Sequence, residues 1–101
     1  MSSLKAKKRF VPKVECERLM ACAIVRNGVT ESRGFRSHSE IRAALGDGDA
    51  YTSKPGDMEG FLTSTGRFVT RAEAMLIGSK TGQCQAMGRP LLSSDINWER
   101  S

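Results

Sequence analysis

At 101 residues the chain has room for one domain and a single modest core, not for a deep, many-walled cleft without a second copy of itself. Sixteen Lys and Arg against eleven Asp and Glu leave a net charge of +5. That balance suits phosphates, nucleic acids or acidic protein surfaces, but Lys5, Lys7, Lys8, Arg9 and Lys13 carry the surplus, so the body is not a broadly basic platform. No stretch approaches the ~18 apolar residues of a membrane span and the start lacks the apolar run of a secretion signal, which sets the expectation of a soluble, cytoplasmic protein. Cys16, Cys22 and Cys84 are odd in number and form no C-x-x-C pair, against both a disulfide framework and a structural zinc site.

Residues 1–10 are small, polar and basic, and read as a mobile arm ahead of one domain at 11–101. The arm is either a solubilising tail or a grip on nucleic acid or an acidic partner. From Val14 the chain turns apolar, and Asn27-Gly28 supplies the two positive φ angles of a type I′ turn. The pattern predicts strand 14–26 folded back on strand 29–34. Ser37 and Glu40 have capping-box spacing, Ile41, Ala44 and Leu45 form an apolar face, and Gly46 can end a short helix. Residues 47–57 are turn-rich and read as a loop with Tyr51 at its middle.

A short strand is expected at 60–63 and a turn at 64–66, with Arg67-Phe68-Val69 either a second strand or the run into a helix. Thr70 and Glu73 repeat the capping box, so a helix starts near Arg71, ends at Gly82, and presents Ala72, Met75, Leu76 and Ser79 on one apolar face. The stretch from Cys84 to Ser101, with Pro90 and Trp98, is expected as an added edge strand or an extension reaching another subunit. The fold class is α+β: a small antiparallel sheet, two short helices and an extended C-terminal segment, in an oligomer.

Two constellations carry candidate chemistry. Arg67 and Arg71 lie four apart where strand becomes helix, beside free amide donors at a positive dipole end, and guanidinium forks suit phosphate oxygens. The plain structural alternative leaves them solvated or pairs them with Asp57, Glu59 or Glu73. Phe35, Arg36 and His38 precede the other helix, where an arginine beside a ring suits a phosphate with a base stacked nearby. His38 reads better as a surface or cap residue than as a general base, because spacing fixes no nucleophile near it. Glu15, Glu17 and Glu73 lack the companions of a metal or carboxylate-pair site. No P-loop, Rossmann fingerprint, nucleophile elbow or zincin motif is present, so the chain reads as a binding protein without metal or cofactor rather than an enzyme.

Gly34-Phe35-Arg36-Ser37-His38, the run from Gly60 to Ala74, Gly82-Gln83 and Leu92-Ser93-Ser94-Asp95 together resemble a group of small phage proteins that includes the phage Thoeris anti-defence family one, the cyclic ADP-ribose sponges. The resemblance implies a non-catalytic protein that sequesters glycocyclic ADP-ribose signals, or cyclic oligonucleotides, as a dimer or hexamer inside an infected bacterium. It implies that Arg67 and Arg71 contact phosphates, that Arg36 supports them, and that Phe61 lies against the base or ribose. Arg36-Ser37 stands where the pattern has a paired basic dipeptide, Thr70 replaces the usual Asp, and the loop between the motifs is short. The rival expectation is a basic accessory protein that binds nucleic acid or a host protein through residues 1–10.

Overall fold

The computed structural model describes residues 17–99. The expected arm at 1–10, the first residues of the expected strand 14–26 and Cys16 lie outside the described residues. The elements run β1 (Leu19–Arg26), β2 (Val29–Glu31), α1 (His38–Ala44), β3 (Met58–Thr63), β4 (Phe68–Thr70) and α2 (Arg71–Thr81), with a single 3-10 turn at Ser93–Asp95. The strands form one four-stranded antiparallel sheet in the order β2-β1-β3-β4, which makes the domain a small α+β fold.

Local chemistry explains most boundaries. Asn27 and Gly28 have φ of 54° and 78° and bring Arg26 opposite Val29. Strand β2 stops at Glu31, short of the expected residue 34, because Arg33 and Gly34 also take positive φ and turn the chain away from the ladder. The Ser37 side chain accepts from the Glu40 amide and starts α1. At α2 the full capping box forms: Thr70 accepts from the Glu73 amide at 3.2 Å, and Glu73 accepts from the Thr70 amide at 2.8 Å. Gly82, with φ of 81°, ends α2 in the left-handed region.

Partners in register share a face, so Cys22, Phe61 and Val69 point the same way across β1, β3 and β4. With Leu19 and Ile24 they meet Ile41, Ala74, Leu91 and Ile96 in one buried cluster. Glu59 stands two residues before Phe61 on that same face. Its carboxylate is thereby aimed at the helices.

Helix α2 buries a different face from the one expected, whereas α1 turns Ile41 and Leu45 to the core as expected and departs only at Ala44. In α2 the inward residues are Ala74 and Gly78, while Ala72, Leu76 and Ser79 are exposed and Met75 is half-buried. Close approach decides this: a Cβ on Gly78 would sit 2.6 Å from Cys84 Sγ and 3.2 Å from Leu19 Cδ1, so the smallest face of the helix packs against the sheet. In α1, Arg42 is buried beside Ile41 and Ala44 is exposed.

The C-terminal segment adds no strand among the described residues. Gln83, 1% exposed, donates to the Leu19 carbonyl and accepts from the Leu19 amide, each at 2.8 Å, which fixes the segment to β1 of its own chain. Leu91 and Ile96 then enter the core. No described helix is long and apolar enough to cross a membrane.

Candidate functional site

Arg67 and Arg71 leave the β4–α2 junction in different company. Arg67 Nε and Nη2 bind both oxygens of Glu17 at 2.8 and 3.0 Å, and Thr63 and Thr65 donate their hydroxyls to the same carboxylate. Those donors, the Arg67 hydrogen bond first, hold the Glu17 carboxyl down at about 2. The clasp is complete, and Arg67 is not among the walls of the two hollows described below that Arg71 lines. In this structure Glu17 occupies the fork of Arg67, the plain structural pairing of an arginine with a carboxylate.

Arg71 instead reaches Leu91 O with Nη1 at 2.5 Å and pairs with Glu59 through Nη2. The other Glu59 oxygen pairs with Arg42 Nη2. One carboxylate thus bridges two guanidiniums. Arg42 Nη1 donates to Ala50 O at 3.3 Å, but Arg42 Nε has no hydrogen-bond partner, although the side chain is only 4% exposed. Burial lowers the basicity of both Arg42 and Arg71.

These two arginines line a hollow of about 310 Å³ together with His38, Tyr51 and the hydroxyl residues Ser37, Ser39, Ser93 and Ser94. His38 is 7% exposed, and its Nε2 lies 2.9 Å from Gly60 O. A carbonyl oxygen only accepts, so Nε2 carries the proton and Nδ1 is bare. Burial pushes the imidazole down to about 4, which keeps it neutral near pH 7. His38 is thus a cap-region residue, the first of α1, and is buried at the edge of the core, not on the surface.

The aromatic residues serve as the base of this arrangement. Phe61 is 0% exposed, with His38 edge-on at 5.3 Å, Trp98 tilted at 6.3 Å and the Arg71 guanidinium 5.9 Å from its ring centre. It has no open face for a base or ribose; its place opposite Cys22 in the register puts it in the core instead. Phe35 is partly buried against the same cluster. Arg36 lies on another side, 5.6 Å over the Trp98 ring and paired with Glu99, and lines a separate hollow with Met20 and Leu62.

Of the six residues singled out by sequence, Arg71 and His38 share a hollow, Phe61 supports them from beneath, and Arg36, Phe35 and Arg67 stand apart. Arg42 was missed, whereas Glu59, one of the structural partners expected for the arginines, does pair with Arg71. The spacing of His38 and Arg42, four apart on one helix face, was the available signal. Among the described residues no group of three His, Cys, Asp or Glu is placed to hold a metal ion.

The other side of Arg71 is different in kind. A trough of about 710 Å³ runs between α2 and residues 86–91, with Met58, Met75, Leu76, Met87 and Leu91 among its walls and Arg71 and Glu59 at its margin.

No curated protein and no solved structure matches the chain. A family model described as phage T4 y16D protein matches residues 6–98. The chain therefore belongs to the phage T4 y16D protein family, a family of small phage-associated proteins.

Proposed function

We propose that the chain binds a phosphorylated nucleotide signal of the cyclic ADP-ribose type and sequesters it unaltered, its phosphates seated where Arg42, Arg71 and the serine hydroxyls converge. Arg42 carries this reading. A guanidinium 4% exposed with an unpartnered Nε is short of an acceptor, and phosphate oxygens are the acceptors that suit such a fork. Because burial already weakens both guanidiniums as cations, an arriving anion gains from each.

Capture without turnover fits the rest of the hollow. The His38 Nε2 proton is committed to the Gly60 carbonyl. The resemblance of the Gly60–Ala74 run to the Thoeris anti-defence sponges supports the same ligand class. Self-association as a dimer or hexamer belongs to the reading, since a second copy would close the open sides of hollow and trough. Native mass spectrometry reads both the subunit number and any retained nucleotide.

Calorimetry with cyclic ADP-ribose isomers tests the proposal. Saturable binding is expected, with the ligand recovered intact after the protein is denatured. Arg71→Ala, which leaves Glu59 paired with Arg42, is expected to weaken binding about 10- to 100-fold, the range for a hydrogen bond to a charged group. Absence of heat with every cyclic nucleotide sinks the reading.

A further inference from the structure

We infer that the methionine-lined trough beside Arg71 is the seat of a planar heterocycle, so that the ligand is a nucleotide held by its base as well as by its phosphate. The inference rests on the phosphate reading of the neighbouring hollow and adds an apolar seat beside it. Of the rings beside that hollow, Phe61 is wholly buried and Trp98 is occupied by Arg36, while Tyr51, 86% exposed, stands on the loop at its rim and walls no part of the trough.

The trough supplies an apolar surface in the right place. Its volume of about 710 Å³ falls in the range of small-molecule pockets, and it is walled mainly by apolar side chains with a few polar groups at the margin. Met58, Met75 and Met87 bring three polarizable thioethers, which make favourable contacts with aromatic rings. Leu76 is 69% exposed and Met58 52% exposed, so both meet solvent until something covers them. Arg71 lines both cavities, and the backbone between them passes from Leu91, in the trough, to Leu92, in the hollow. A phosphate held at Arg71 thus places an attached nucleoside at the mouth of the trough.

The packing of α2 explains why this surface exists. Ala74 and Gly78 take the helix into the core, which leaves Met75 and Leu76 to the trough. Leu76 and the open side of Met75 are available to a guest, the rest of Met75 being packed against the core.

Ribose 5-phosphate and AMP differ by the base alone and make the test. AMP is expected to bind about tenfold more tightly, the increment of one stacked base. In protein labelled at the methionine methyls, AMP and not ribose 5-phosphate is expected to shift Met58, Met75 and Met87 by ring current, leaving Met20 still. The double variant Met58→Thr, Leu76→Gln changes two exposed side chains and is expected to bring AMP down to the affinity of ribose 5-phosphate. Equal affinity of the two probes, or methionine signals that stay in place, overturns the heterocycle site while the phosphate reading stands. If neither probe binds, the phosphate reading falls and this inference with it. A change of native mass in the double variant, with AMP binding untouched, assigns the trough to a second copy of the chain and likewise overturns the proposal.

Discussion

Two arginine–carboxylate clusters lie at opposite ends of the β3–β4 hairpin and α2 start, and they differ in how far their donors are satisfied. At Glu17 one carboxylate receives two guanidinium and two hydroxyl hydrogen bonds, and the Arg67 side chain remains 54% exposed. At Glu59 one carboxylate is divided between two guanidiniums, the Arg42 side chain is 4% exposed, and one of its donors has no acceptor. The first cluster is finished as a piece of structure. The second has more donor than acceptor, and both of its arginines line a hollow.

Removing each carboxylate exposes this contrast most strongly. Glu59→Gln leaves one buried and one partly buried guanidinium without their counter-charge, and a stability loss of about 3 kcal/mol is expected, the low end for a broken buried pair because Glu59 keeps 20% exposure and Arg71 23%. Millimolar pyrophosphate is expected to restore part of the lost melting temperature by occupying the vacated position. Glu17→Gln is also expected to destabilise, but without rescue, since Arg67 is free to turn into solvent. Melting curves with and without pyrophosphate decide it; equal rescue of both variants, or of neither, removes the distinction.

Acid titration reads the second cluster through His38. The unfolded chain carries an imidazole near 6.5 and the folded chain one near 4, so between these values the unfolded state holds the extra proton. Stability is therefore intact above pH 6.5 and declines as the pH falls towards 4, by ~3 kcal/mol for the whole shift. Glu17 adds its own loss lower down, between 4.5 and about 2, where its depressed carboxyl is protonated. Urea unfolding at a series of pH values measures both. His38→Phe is expected to flatten the slope between pH 6.5 and 4 and to leave the lower one in place; an unchanged upper slope assigns it to another group.

The parts of this molecule legible in its sequence are those that chain-local chemistry decides. Asn27-Gly28, the Ser37 and Thr70 caps and Gly82 each act within a few residues, and all were readable. The burial of α2 was not, because it depends on Gly78 meeting Cys84 and Leu19, a contact set by tertiary approach. A stripe of Ala72, Met75 and Leu76 reads as core in any one-dimensional account. The site divides along the same line. Arg71 stood out by its place at a helix start, whereas Arg42 and Glu59 lie 17 positions apart in sequence and meet only through the sheet register that aims Glu59 at the helices. Arg67 shows the converse: spacing placed it near Arg71, and Glu17, from the edge of β1, claimed it.

The smallest expected effect is the most discriminating. Arg67→Met removes the exposed half of the Glu17 clasp but leaves the Thr63 and Thr65 hydroxyls on the carboxylate. Because the pair joins an exposed guanidinium to a carboxylate that is 7% exposed, it lies between a surface and a buried pair, and a loss of about 1–2 kcal/mol is expected, read as a fall in melting temperature. Nucleotide affinity should stay within about twofold of the parent, because the guanidinium already has its partner and walls neither of the hollows described for Arg71. Calorimetry on Arg67→Met beside Arg71→Ala settles the matter. If the two variants lose affinity alike, Arg67 must leave Glu17 to reach the ligand, and the finished clasp is then a resting state of the binding site.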